Sequence, residues 1–207
     1  MVRDAERTKN KIMLAALRVF MSKGYEGASL NEIARTAGVT KGGLYHHFES
    51  KACLFREALR FITEEMGKWS IAHFRRCRSS RSLVKALLGS MGEMKDAFSG
   101  IVGKAGGRPR YTFLEILVSA ARRDSSIREE MGNIYDTTRR NIAGELRRGQ
   151  GRGEIRQDID MHTLAFEINA LIEGSLLLSI LDESVDLGRV GRQLFANIWR
   201  QISTSGE

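Results

Sequence analysis

Proline is nearly missing from this chain, with one residue in 207, at Pro109. Proline removes a backbone donor and clashes with the preceding turn, so its scarcity leaves long helices uninterrupted. Strand signals are missing too: no stretch alternates apolar and polar residues over the length a half-buried strand needs. The two cysteines, Cys53 and Cys77, match no CxxC spacing, which argues against a metal or redox site and for two reduced thiols. Histidine is scarce, and His46, His47, His73 and His162 are not placed for metal binding; adjacent His46 and His47 would project about 100° apart on a helix. No metal or cofactor is expected.

Other absences bear on location and activity. The longest apolar run, "ALIEGSLLLSIL", is interrupted by Glu173 and falls short of the ~20 residues of a membrane span. The opening "MVRDAERTKNKIM" is charged and lacks the apolar core of a signal peptide. A cytoplasmic protein with no membrane partner is the expectation. An enzyme would need a constellation that is missing here, whether the E-x-x-H pair of a metal-binding bundle, a GxSxG elbow or a P-loop. "GKAGGR" has glycines and a lysine without the phosphate-loop spacing. A helical-bundle enzyme is therefore disfavoured.

What is present is a globular composition, 42% hydrophobic and 28% charged, with enough residues to bury a core. The net charge of +8 is uneven: residues 1–60 hold 11 Lys/Arg against 6 Asp/Glu, and the rest hold 22 against 19. A basic first segment fits a polyanionic partner, although a solvated basic face has the same composition. Helical periodicity places Ile12, Ala15, Ala16, Val19 and Phe20 on one face of a first helix, which Gly24 ends. Ser29 and Glu32 form an S-x-x-E capping box for a second helix, Leu30 to about Ala37. Gly38 supplies a left-handed turn. Thr40 caps a short third helix, Lys41 to about His46, and Ser50 caps a fourth. Later helices are expected in "RSLVKALLGSMGEMKDAF", "YTFLEILVSAARR", "SSIREEMGNIYDTTRRNIAGELRRG", "DMHTLAFEINALIEGSLLLSIL" and "LGRVGRQLFANIWRQI", with loops at 99–110 and 148–158.

Two short helices separated by a glycine-bearing turn form a helix-turn-helix pattern. Ile33, Ala34, Ala37, Val39 and Leu44 supply its core, which leaves Thr40, Lys41, Gly42, Gly43, Tyr45 and His46 unneeded there. These are residue types suited to a helix that enters the major groove. Thr40 and the helix N-terminus can hold a phosphate, and Lys41 a phosphate or a guanine edge. Gly42 and Gly43 cost roughly 1 kcal/mol each relative to alanine, which calls for close approach to DNA or a tight helix crossing. Tyr45 and His46 can reach phosphates or thymine methyls, and His47 and Lys51 suit phosphate clamping.

Residues 8–60 resemble the DNA-binding head of the TetR family of bacterial regulators, most specifically through "AGVTKGGLYHHFESKACL", with L-Y-H-H-F followed by S-K. The resemblance implies an all-α fold of about nine helices. A three-helix head would be joined through a fourth helix to a helical ligand-binding and dimerisation body, with domains at 1–50 and 51–207. It implies a homodimer on double-stranded DNA at a palindromic operator, released by a small-molecule inducer of apolar or amphipathic character. Position by position it assigns DNA contact to Ser29, Thr40, Lys41, Gly42, Tyr45, His46, His47 and Lys51. Gly43 is a departure, since relatives often carry a base-reading side chain there; shape readout can replace part of the lost specificity.

Over the body the resemblance is looser. Trp69, Met91, Met94, Phe98, Phe113, Leu117, Tyr135, Phe166 and Ile172 are candidates to line a ligand cavity, with Glu115, Asn169 or Glu173 as polar handles; ordinary core packing is the competing account of each. Relatives pair their last two helices across the dimer, and Leu177, Ile180, Leu181, Leu194, Phe195, Ile198 and Trp199 have the apolar density for that, against the alternative of a monomer's own core. The competing functions are a ligand-responsive activator and a non-specific architectural DNA binder.

Overall fold

The computed structural model describes residues 2–74, 77–102 and 113–204, apart from the side chains of residues 2, 3 and 69–74. Its described residues form ten helices: α1 (Val2–Gly27), α2 (Leu30–Ala37), α3 (Lys41–His47), α4 (Lys51–Phe74), α5 (Ser80–Gly89), α6 (Met91–Val102), α7 (Phe113–Arg123), α8 (Ser125–Gly151), α9 (Met161–Leu181) and α10 (Leu187–Ile202). The all-helical expectation is met with one helix more than foreseen. "RSLVKALLGSMGEMKDAF" is two helices, because Ser90 leaves helical geometry (φ −92°, ψ 10°). The loops expected at 99–110 and 148–158 begin later than the sequence implies: residues 99–102 complete α6 and 148–151 complete α8. Residues 103–110 lie outside the described residues.

The chain packs as two compact units, Met1–Trp69 with Ala97–Gly132, and Ser70–Asp96 with Asn133–Glu207. In the first, α1 breaks where expected, at Gly24, whose φ of 74° and ψ of 168° are open to glycine and not to a residue with a β-carbon. Phe20, Tyr25 and Phe55 then meet as an aromatic trio, with centroids 5.1–5.6 Å apart. Around it are buried Ile12, Leu17, Ile33, Leu44, Phe48 and Leu59. Within this unit α7 lies against α1, and Arg60 of α4 grips the Glu130 carboxylate through Nε at 2.7 Å and Nη2 at 2.8 Å.

The second unit has its own core, built on Val84, Leu88, Met91, Leu146, Leu164, Ile168, Trp199 and Ile202. Here α5 and α10 cross closely at Gly191. The end of α8 turns back through Gly153 (φ 77°), so that the Glu154 carboxylate accepts from the Ser80 amide at the start of α5, at 2.6 Å. Ile155 makes an antiparallel bridge with Ser203. Asp160 and Asp186 cap α9 and α10 by accepting from Thr163 N and Arg189 N.

Helix α9 runs well beyond the apolar stretch noted in the sequence. Its 21 residues make it long and apolar enough to cross a membrane by length and composition, the one such helix among the described residues. Glu173 interrupts the run without ending the helix. Leu164, Ala165, Ile168 and Ile172 place one side of it in the core of the second unit.

Candidate nucleic-acid interface

Each turn of the α2–α3 hairpin is closed by local hydrogen bonds. The Ser29 hydroxyl accepts from Glu32 N at 3.2 Å, which is half of the anticipated capping box. The Glu32 carboxylate does not reach back; it pairs with Lys23 at 2.7 Å and lies 3.8 Å from Arg35. Gly38, at φ 63° and ψ 38°, lets its own N–H donate to Arg35 O and Val39 N–H donate to Ala34 O, the paired bonds of a Schellman ending. The Thr40 hydroxyl accepts from Gly43 N at 3.0 Å. Its own hydrogen is then still available to an outside acceptor. Leu44 and Phe48 are buried and fasten α3 to the core.

With its inner side so fixed, α3 leaves Thr40, Lys41, Gly42, Tyr45 and His46 exposed, Gly43 and His47 partly so, and Ser29 exposed at the start of α2. Lys41 Nζ stands 5.9 Å from the centroid of the Tyr45 ring, which keeps the charge beside the aromatic face. The His46 and His47 rings lie edge to face, 5.3 Å apart. The two glycines separate here. A β-carbon on Gly43 would meet Thr40 Oγ1 at 3.2 Å, inside the N-cap, whereas one on Gly42 would meet nothing within 4 Å. A side chain at Gly43 would therefore crowd the cap of its own helix. Nothing among the described residues accounts for Gly42.

Lys51 differs from its expected placement as a phosphate clamp. Its ammonium turns inward, donates to Tyr25 O at 2.9 Å, Ala28 O at 3.4 Å and Glu26 O at 3.5 Å, and stands 4.6 Å from the Tyr25 ring centroid. It is the plug for carbonyls at the broken end of α1. Lys51→Met keeps the stem and removes the donors, and should lower stability by about 1–2 kcal/mol. Thermal unfolding of variant and parent checks this; an unchanged midpoint would show the plug to be dispensable.

The candidates for ligand contact divide between the units. Phe98 and Phe113 face each other in the first, with centroids 5.1 Å apart, and Leu117 is in the core there. The side chain of Trp69 lies outside the described residues. In the second unit Ile172 is a core residue, Met94 packs against that core and Asn169 is partly buried. Tyr135 donates to Glu173 Oε1 at 3.1 Å.

The dimer candidates divide as well. Ile198 and Trp199 are buried in their own chain, and Leu194 and Phe195 pack against the same core. Ile180 and Leu181 are exposed, Leu181 by 72%, and they are joined by exposed Phe166 and Leu178 of the same helix. Phe166, expected among cavity residues, instead borders an open hollow of about 320 Å³ shared with Asp136, Arg139, Arg140, His162 and Thr163. No sequence spacing marked that hollow, since its residues come from two helices, α8 and α9, that are more than twenty positions apart in the chain.

Comparison with known proteins bears on both halves of the chain. Residues 12–58 match the family described as bacterial regulatory proteins, tetR family. Residues 112–195 match the tetracyclin repressor-like C-terminal domain. The HTH-type transcriptional regulator SrpR of Pseudomonas putida is 30% identical over 174 residues, 84% of this chain and 75% of that protein. The HTH-type transcriptional regulator AcrR of Shigella flexneri is 37% identical over 70 residues; the match spans about a third of either chain, 34% of this one and 33% of AcrR. A TetR-family regulator from Cytophaga hutchinsonii has the same fold at a TM-score of 0.79, with 22% identity over 97% of each chain. The chain, whose described residues form ten helices including a capped helix-turn-helix with a free outer face and which matches these regulators along most of its length, belongs to the TetR family of DNA-binding transcriptional regulators.

Proposed function

We propose that the protein is a repressor that holds a palindromic operator as a homodimer and releases it when a small molecule enters the C-terminal domain. In this reading residues 1–50 are the DNA-binding domain and 51–207 the ligand-binding and dimerisation domain. The observation that carries it is the outer face of α3, where exposed Thr40, Lys41, Gly42, Tyr45 and His46 have no part in the core. Lys41 and Tyr45 would reach the groove, with Thr40 and His46 beside them. Ser29 and His47 would meet the phosphates on either side, and Lys51 would act through the helix ends it joins. Gly43 serves the cap that sets the angle of α3.

A nuclease footprint on the DNA beside the protein's own gene tests this. Protection of one discrete palindrome is expected, with half-sites about one helical turn, ~34 Å, apart. Diffuse protection whose affinity follows salt alone would mark an architectural binder instead. Tyr45→Ala should weaken operator binding about tenfold at matched salt, with the melting temperature unchanged. Equal binding by the variant would remove Tyr45 from the interface.

The homodimer reading is supported by Phe166, Leu178, Ile180 and Leu181, an exposed apolar set on a single helix of the kind that marks an association surface. Leu181→Glu should convert a sedimenting dimer to a monomer at micromolar concentration. A dimer that persists through this change would place the interface elsewhere.

A further inference from the structure

Among the described residues Glu173 is a carboxylate without an ion-pair partner. It follows core residue Ile172 on α9, and its one hydrogen-bond partner among the described residues is the Tyr135 hydroxyl. The cations on adjoining stretches are engaged elsewhere. Arg139, one turn beyond Tyr135, faces Asp136 at 3.9 Å, and Arg140 holds the same carboxylate at 2.6 Å. Lys95 donates to Ser179 at 3.2 Å. Burial pushes the Glu173 carboxyl above its ordinary range, opposed by the Tyr135 hydrogen bond, and burial followed by the Glu173 charge pushes the Tyr135 hydroxyl up. A charge withdrawn from water and given no partner of opposite sign is costly, and a helix needing only an apolar contact would do better with leucine. Ionisable groups perturbed by burial cluster at functional sites.

We propose that Tyr135 and Glu173 together bind the cationic end of the effector, an organic ammonium with an apolar body. This rests on the ligand-released regulator described above and gives its effector a chemical class. The carboxylate supplies the countercharge, and the phenol fixes its orientation and offers an oxygen and a ring face to the ammonium. Leu176, about one turn along α9 from Glu173 and partly buried against the core, offers apolar surface for the body of such a molecule. A neutral or anionic ligand of the same shape would bury the carboxylate further without pairing it.

The test is calorimetric titration at neutral pH with phenylbutylammonium and, as its uncharged counterpart, phenylbutanol. The ammonium should bind at least about tenfold more tightly to the parent protein. Glu173→Gln should abolish that preference while still binding the alcohol, and Tyr135→Phe should retain it in weakened form. Equal or tighter binding of the alcohol, preference surviving in Glu173→Gln, or no binding of the ammonium at millimolar concentration would each overturn the proposal. A fold readout accompanies the variant. A carboxyl whose pKa is raised by folding loses stability as pH climbs from the ordinary carboxyl range through that raised value, and the loss then stays constant above it, so Glu173→Gln without ligand should melt higher than the parent at neutral pH. Operator release separates this proposal from the reading beneath it. If phenylbutanol frees the operator and the ammonium does not, the cation site is wrong and the regulator stands. If there is no discrete operator, the regulator reading fails whichever amine binds.

Discussion

Gly191→Ala should be among the most damaging single substitutions in this protein, lowering stability by about 3 kcal/mol or more. A β-carbon built at Gly191 comes within 2.9 Å of the Leu88 carbonyl carbon, nearer still to its oxygen, and within 3.2 Å of Met91 Cε. A methionine end can rotate aside. The carbonyl cannot, because it belongs to the last turn of α5, one residue short of Gly89 where the helix ends. Relief must come from moving α5 away from α10. That movement would open the core that Leu88 shares with Ile198, Trp199 and Ile202, adding lost contacts to the clash. For a chain of this length the loss corresponds to a fall of roughly 6–12 °C in melting temperature. A midpoint within about 2 °C of the parent would mean that α5 and α10 can separate at this crossing at little cost.

Gly42→Ala should stabilise the protein and disable it on DNA. Alanine is favoured over glycine in a helix by about 0.5–1 kcal/mol, the φ of Gly42 is not among the positive ones, and its β-carbon would touch nothing within 4 Å. The melting temperature should rise by about 1–3 °C. Operator affinity should fall about tenfold to a hundredfold, because in the proposed docking a methyl group would stand between the backbone of α3 and the DNA wall. Gly43→Ala is the control. There the new carbon presses on Thr40 Oγ1, so any loss of binding should come with a weakened cap and a lower melting temperature. If Gly42→Ala binds the operator as the parent does, close backbone approach is not the reason for that glycine.

The legible parts of this structure are the local ones. Ser29, Gly38, Thr40 and Ser50 find their partners within about one helical turn, so a short window of sequence holds both ends of each hydrogen bond. The unanticipated features depend on partners far along the chain. Gly191 answers to Leu88, Lys51 to carbonyls 23–26 residues earlier and Glu154 to an amide 74 residues away. The break at Ser90 was hidden for another reason: serine is tolerated within helices as well as between them, and apolar spacing continues across it. In α9 and α10 the apolar residues were visible but their allotment was not. Helix α9 is apolar on nearly every side, so periodicity cannot separate the face that meets Leu164 and Ile168 from the face that leaves Leu181 bare. Tyr135 and Glu173 were both candidates from the sequence, though nothing in it pairs residues 38 positions apart.

The position of Lys51 has a mechanical consequence. As the first residue of α4 it is tied by its ammonium to the carbonyls that end α1 and open the turn into α2. A small tilt of the start of α4 would pull on the same peptide groups from which α2, and then α3, hang. The exposed residues of α3 are thus suspended from a rivet, and a rotation of α4 is passed to them as a change of aim rather than absorbed as slack.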